Sequence, residues 1–189
     1  MTLAGRPGLF AVALAVAVLA LPALSAADQK DPALDGLFQR LKLTADPGVA
    51  QVIEEAIWRI WTRNGAHGVD VVMASGIEAM NAGALEDALA RFDDVVRRAP
   101  DFAEGWNKRA TVHYLMGNFT ASVADIRRTL ALEPRHFGAL SGMGLIFDAI
   151  GNHPAALKVW EKALQINPHM PSIVERVRQL RTQSERERT

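Results

Sequence analysis

Apolar, small and helix-breaking residues recur with a period of 34 residues between positions 69 and 170. In the first half of each period, bulky apolar residues follow helical spacing. In the second half, a small residue precedes a large apolar one by four positions, so that both share one helix face. The pattern predicts three hairpins of two α-helices, each helix about 14 residues long. The positions that keep the period are Gly83, Gly117 and Gly151; Ala88, Ser122 and Ala156; Phe92, Ile126 and Trp160; and Pro100, Pro134 and Pro168.

The small and helix-breaking residues indicate how each hairpin is built. Gly76, Ala110 and Gly144 interrupt the bulky residues of the first helices, where a short side chain lets the second helix approach closely. A glycine then ends the first helix, and a proline closes the unit. Asp101 with Glu104 predicts a capping box for the following helix. We expect the repeats to occupy 69–102, 103–136 and 137–170.

This unit resembles the tetratricopeptide repeat, whose 34-residue pattern is W-x2-L-G-x2-Y, then A-x3-F, then P. Arg109 and His113 depart from the leucine and tyrosine of that pattern. The resemblance implies an all-α, right-handed helical-hairpin solenoid whose first helices line a concave groove. The matching residues are Gly76, Gly144, Trp106, Ala88, Ala156, Phe92, Pro100, Pro134 and Pro168.

The resemblance also implies which groove positions contact a partner. Members that clamp a C-terminal carboxylate use lysine, arginine or asparagine there. Only Asn107 fits that requirement, so we expect a partly apolar groove suited to a hydrophobic or helical segment of a protein or peptide. The chain's own terminus or a second copy are the alternative occupants. The implied groove residues are Met73, Ile77, Met80, Asn81, Asn107, Thr111, Tyr114, Leu115, Ser141, Leu145 and Asp148.

The N-terminal residues 1–27 have the features of a secretory signal peptide. Arg6 supplies a positive charge, an apolar run follows over 9–21, and Pro22 ends it. Small residues then predict cleavage after Ala27, or alternatively after Ser25. An uncleaved membrane anchor is the other interpretation, although the apolar run is shorter than the roughly 20 residues of a spanning helix. We therefore expect a periplasmic or secreted protein that does not contact the membrane after cleavage.

The segments flanking the repeats are expected to complete the solenoid. Residues 28–34 form a polar lead-in that we expect to be mobile. Residues 35–68 predict a helix pair, which is either a degenerate fourth hairpin capping the stack or an unrelated pair. Residues 171–189 predict a capping helix with a polar tail.

Charge and cysteine content narrow the partners. The chain has 21 basic and 21 acidic residues, well mixed, which argues against nucleic acid as the partner. It has no cysteine, so neither disulfides nor thiol chemistry are available.

The sequence contains no recognisable catalytic motif. Its histidines lack the i, i+4 spacing of a helical metal pair. We therefore predict a non-catalytic scaffold or adaptor without metal or cofactor. One alternative is an accessory or catalytic subunit of an envelope enzyme that uses His136, His169 or Asp148. Another is a self-associating structural module.

Overall fold

The computed structural model describes residues 28–186, so the predicted signal peptide lies outside the described residues. All the regular structure within this range is α-helical, and no helix in it is long and apolar enough to span a membrane. The helices are α1 Ala33–Leu43, α2 Pro47–Trp61, α3 His67–Asn81, α4 Leu85–Arg98, α5 Ala103–Leu115, α6 Phe119–Leu132, α7 Phe137–Ala149, α8 His153–Ile166 and α9 Pro171–Arg186.

The six central helices form the predicted stack of three hairpins. α3 packs on α4, α5 on α6 and α7 on α8, while α4 also packs on α5 and α6 on α7. Gly83, Gly117 and Gly151 adopt φ values of 76°, 76° and 75°, in the left-handed region that ends a helix. The all-α solenoid prediction is therefore confirmed.

Close approach of the paired helices depends on the small first-helix residues. A Cβ on Gly76 would lie 2.6 Å from the Phe92 ring, and one on Gly144 would overlap the buried Trp160 ring. At the equivalent place in the middle repeat, Ser122 Oγ donates a hydrogen bond to the carbonyl of Ala110 at 2.8 Å. The predicted role of these small residues is confirmed.

The two departures from the repeat pattern replace apolar packing with an ionic cluster. The Arg109 guanidinium donates to both carboxylate oxygens of Asp125 at 2.7 Å, and to Asp93 at 2.7 Å. His113 Nε2 lies 3.9 Å from the same Asp125. Arg109 thereby joins α4, α5 and α6 where the pattern has a leucine.

The capping box expected at Asp101 and Glu104 is wrong. The N-cap of α5 is Phe102, whose side chain makes no capping hydrogen bond. Asp101 instead forms an ion pair with Lys30 at 3.1 Å, and Glu104 is buried inside the molecule. Asp101 is engaged by Lys30 and Glu104 by His136, and both partners are distant in sequence, which a local motif does not register.

The N-terminal helix pair begins as predicted but packs differently from a stacked repeat. Asp46 caps α2 by accepting from the backbone N–H groups of Gly48 and Val49, with Pro47 in the first turn. The buried side chains of α1 and α2 share a core with Phe137 at the start of α7. They do not extend the stack beyond α3. The residues that α1 and α2 contribute to this core are Leu34, Phe38, Leu41, Ala50, Ile53, Ile57 and Trp61.

The residues expected to form a mobile lead-in make specific contacts at the junction of repeats 1 and 2. The Gln29 side chain donates to the Asp101 carbonyl at 2.6 Å and accepts from the Ala103 N–H at 3.2 Å. Both Asp28 and Gln29 are buried. The segment directly preceding α1 is thus attached to the start of α5.

The C-terminal helix α9 covers the last hairpin, as expected for a capping helix. Ile173, Val177 and Leu180 bury against Ala156 and Trp160 of α8. On the other side of α9, Arg176 donates to both oxygens of Asp148 at 2.8 Å. Within the described residues, α9 continues to Arg186.

Candidate partner-binding groove

A cavity of about 570 Å³ lies between α2, α5, α7 and the junction of α8 with α9. Its volume falls within the range of pockets that bind compact ligands. Five of the groove residues implied by the repeat resemblance line it: Asn107, Thr111, Tyr114, Ser141 and Leu145.

Helical spacing brings these five residues to one surface. Asn107, Thr111 and Tyr114 follow one another at i, i+4 and i+7 on α5, and Ser141 and Leu145 are four apart on α7. Between the two helices, Ile126 of α6 forms part of the floor. Leu145 remains 40% exposed, so an apolar side chain is available to a partner.

The wall formed by α2 was missed by the sequence analysis. Trp58 and Glu54 face the cavity, and the Trp58 ring lies over Gly138, where a Cβ would be only 2.6 Å from it. Trp58 also makes edge contacts with His136 and Phe137 at centroid distances of 5.6 and 5.5 Å. Gly138, which has no role in the repeat pattern, is the one sequence signal that could have indicated this approach.

The remaining implied groove residues do not line the cavity. Met73 is only 1% exposed and belongs to the core of repeat 1, against which Ile77 and Met80 also pack. Asn81 is exposed at the end of α3, and Leu115 is 51% exposed at the end of α5. Asp148 is bound to Arg176 of α9.

A buried polar cluster supports the cavity from below. Glu104, 1% exposed, accepts hydrogen bonds from His136 Nε2 at 2.8 Å and from Asn107 Nδ2 at 3.0 Å. Lys108 Nζ lies 3.1 Å from its other oxygen. Burial raises the pKa of the Glu104 carboxyl, but Lys108 and His136 outweigh that effect and hold it below its ordinary value. The cluster fixes the Asn107 amide at the cavity surface.

The hydrogen bonds of His136 define its tautomer. Its Nδ1 accepts from the Ala139 backbone N–H at 3.1 Å, capping α7, so the proton of the neutral ring is on Nε2 and points to Glu104. The ring stacks on Trp61 at a centroid distance of 4.1 Å. His136 therefore joins α2, α5 and α7.

The residues considered for catalysis are engaged by separate structural partners. His136 is fully buried between Trp61 and Glu104, whereas His169 Nε2 donates to the Leu41 carbonyl at 3.2 Å. Hydrogen bonds from Arg176 hold the pKa of the Asp148 carboxyl below its ordinary value. Within residues 28–186, no group of three or more histidines and carboxylates is placed to hold a metal ion.

Known proteins share both the repeat sequence and the fold. The family model described as tetratricopeptide repeat matches residues 73–123 and 107–171. A TPR repeat-containing protein of Rhizobium etli is 40% identical over 147 residues, which cover 78% of this chain and 72% of that protein. The Hsp70-Hsp90 organizing protein of Triticum aestivum is 26% identical over 99 residues, or 52% of this chain and 17% of that protein.

Among solved structures, the first TPR of Spaghetti (RPAP3), bound to an HSP90 peptide, aligns with a TM-score of 0.59 and 18% identity. It covers 62% of this chain and 93% of that one. The crystal structure of MamA protein aligns with a TM-score of 0.56 and 18% identity over 77% of each chain. At these identities the likeness concerns the fold alone. Together with the sequence match to the Rhizobium etli protein and the three observed hairpins, it establishes that the chain belongs to the tetratricopeptide repeat family.

Proposed function

We propose that this chain is an exported protein-binding module that acts as a scaffold or adaptor by holding a peptide or protein segment in the cavity between α2, α5 and α7. The observation that carries the proposal is the convergence of Asn107, Thr111, Tyr114, Ser141 and Leu145 on one cavity. The RPAP3 structure with its bound HSP90 peptide supports peptide binding by a related fold.

The chemistry of the lining suits an adaptable, moderate-affinity contact. Most of the exposed lining surface is apolar, and Tyr114, Ile126 and Leu145 contribute to it. Burying roughly 400 Å² of apolar surface would contribute about 10 kcal/mol before the costs of association. Those costs remove a large part, so we expect an affinity on the order of micromolar.

The proposal contains no catalytic step. Tetratricopeptide repeat folds are generally protein-interaction modules. His136, His169 and Asp148 each make a hydrogen bond that joins two parts of the fold. Export is proposed from the signal-like features of residues 1–27. In addition, Asp28 and Gln29, which directly follow the expected cleavage site, are buried parts of the folded domain.

Two leucine substitutions of equal chemistry test the groove. Leu145→Glu places a carboxylate inside the cavity, whereas Leu115→Glu places one outside its lining. In a pull-down from envelope extract, we expect partners of the wild type to be lost with Leu145→Glu and retained with Leu115→Glu. Circular dichroism should show both variants folded. Equal recovery from all three proteins would refute groove binding.

Light scattering of the same proteins tests the self-association alternative. A wild-type dimer that becomes a monomer only with Leu145→Glu would mean that a second copy occupies the groove. If the wild type is a monomer at all concentrations, a second copy does not occupy the groove, and the partner is another protein or peptide.

A further inference from the structure

We propose that the cavity selects a short peptide segment in which an apolar side chain stands beside an ammonium or guanidinium group, and that Glu54 receives the positive charge. This inference rests on the proposed function and specifies its ligand. It follows from how Glu54 is held, from the hydrogen-bonding capacity left at the surface, and from the wall that limits the ligand's size.

Glu54 is a carboxylate held in place at the cavity wall without an opposite charge. It lies one helical turn before Trp58 on α2 and is half-buried. Its Oε1 accepts from Asn167 Nδ2 at 2.9 Å, and that amide is itself 0% exposed. Asn167 is fixed in turn because its Oδ1 accepts from the His169 N–H at 2.9 Å. Among residues 28–186, no lysine or arginine forms an ion pair with Glu54.

Several other polar groups of the lining keep hydrogen-bond acceptors available to a ligand. Asn107 commits its Nδ2 to Glu104, which leaves its Oδ1 for a ligand. Thr111 donates its hydroxyl to the Asn107 carbonyl at 3.0 Å, and Ser122 donates to Ala110. Because each hydroxyl donates its proton within the protein, its oxygen remains able to accept a hydrogen bond from a ligand. A ligand with hydrogen-bond donors complements these acceptors, and the hydroxyls of Tyr114, Ser141 and Ser172 can accept as well as donate.

The charges near the cavity favour a cation over an anion. In the part of the chain that the structure describes, no lysine or arginine lines the cavity. The nearby Lys108 lies over the Trp58 ring at 5.4 Å, but its ammonium is 3.1 Å from Glu104, which compensates its charge. Glu54 is left as the uncompensated charge of the lining. A partly desolvated carboxylate of this kind binds a positive donor more strongly than a neutral one.

The wall made by α2 sets the size of the ligand. Trp58 packs over Gly138 and closes a groove that would otherwise continue along the first helices. The cavity volume, about 570 Å³, is that of a pocket for a compact ligand rather than for a long helix. A few residues of an extended segment would fill it, with the apolar side chain against Tyr114 and Leu145.

Fluorescently labelled hexapeptide pools provide the test on the chain lacking residues 1–27. Each pool has blocked ends and apolar residues at five positions, with lysine, glutamine or glutamate at the sixth. By fluorescence polarisation, we expect the lysine pool to bind about five- to tenfold more tightly than the glutamine pool, and the glutamate pool most weakly. A glutamine pool with a free N-terminal amine distinguishes a terminal ammonium from a side-chain one.

Adjacent glutamates provide the matched variants. Glu54→Gln should bring the lysine and glutamine pools to within twofold of each other. Glu55→Gln, on an exposed neighbour that accepts from Gln51, should retain the preference. Equal binding of the three pools by the wild type, or an unchanged preference in Glu54→Gln, would overturn the charge inference while leaving groove binding intact. Wild-type binding of the glutamine pool that Leu145→Glu does not weaken, or no binding of any pool at millimolar concentration, would overturn both proposals.

Discussion

At the scale of single residues, the close approach of the two helices in a hairpin depends on a small residue in the first helix. Gly144 lies against the indole of the fully buried Trp160, whose Nε1 donates to the Ser141 carbonyl at 3.1 Å. Trp160 has no room to retreat, because it also packs in the core under α9. A glycine in mid-helix, which is intrinsically unfavourable, is therefore required here for packing.

We predict that Gly144→Ala destabilises the protein by about 1–2 kcal/mol. The substitution should gain about 1 kcal/mol of helix propensity, but the added methyl group would overlap the buried Trp160 ring and cost about 2–3 kcal/mol, the upper part of the usual overpacking range. The measurement is the free energy of unfolding from urea titration followed by tryptophan fluorescence.

Gly36→Ala is the matched control for that experiment. Gly36 is also inside a helix, α1, but nothing lies within 4 Å of the position of its added Cβ. This variant should be more stable than wild type by about 0.5–1 kcal/mol. If both substitutions stabilise the protein equally, the close-contact explanation of Gly144 is incorrect.

Two residues that depart from the repeat pattern make contacts that the pattern does not predict. Arg109 and His113 stand where the pattern has leucine and tyrosine, and their sequence neighbours do not reveal a substitute interaction. In the structure, Asp93 and Asp125, each 16 residues from Arg109, meet its guanidinium. Only stacking of the helices brings these three groups together, so the ionic cluster could not be derived from local spacing.

At the scale of elements, the contact between α5 and α7 contains an ionisable group whose charge the fold favours. Glu104 of α5 bonds His136 at the start of α7, and its pKa is lowered from the ordinary value of 4.5. A carboxylate whose pKa is lower in the folded state stabilises that state above the unfolded pKa. This contribution is lost as the pH falls below 4.5 and through the lower pKa of the folded protein.

We predict that Glu104→Gln lowers the free energy of unfolding by about 2–4 kcal/mol at pH 7, because Lys108 and His136 lose a buried partner. The difference from wild type should shrink as the pH is lowered from 6 to 3, since the wild-type carboxylate becomes protonated. Urea titrations across this range provide the measurement. Glu55→Gln, on the exposed face of α2, should differ from wild type by less than about 0.5 kcal/mol throughout. A gap for Glu104→Gln that does not change with pH would contradict the assignment.

Among the elements, the helix pair α1–α2 is the one for which the sequence left two placements open, a degenerate fourth hairpin or an unrelated pair. Its helical character and its start at Asp46-Pro47 follow from capping chemistry and were predicted. Its position depends on Trp58 and Trp61 meeting His136, Phe137 and Gly138, which are distant in the chain. For the same reason, sequence reasoning identified the α5 and α7 residues of the cavity but not its α2 wall.

At the scale of the whole molecule, the chain combines a folded repeat domain with a predicted export signal. The domain includes Asp28 and Gln29, and Gln29 is attached to the junction of repeats 1 and 2 by its contacts with Asp101 and Ala103. A mature protein that begins at Asp28 would therefore retain the whole described fold.

We predict that the full chain expressed in a bacterium appears in the periplasm with the mass of residues 28–189. Cleavage after Ala27 follows from small residues at the −3 and −1 positions, Ser25 and Ala27. Intact-mass spectrometry of the periplasmic fraction is the measurement, and Ala27→Arg is the control that should block cleavage there. A mass beginning at Ala26 would indicate the alternative site. An uncleaved chain in the membrane fraction would contradict the signal peptide.

The sequence alone determined the family, the three hairpins and the glycine ends of their first helices, because the 34-residue period and glycine and proline chemistry act locally or between adjacent units. Only the tertiary structure decided which groove positions share a cavity, where α2 packs, and what holds Glu104, Arg109 and Glu54. These contacts join residues far apart in the chain. They depend on the relative placement of helices, and no local pattern of hydrophobic and polar residues encodes that placement explicitly.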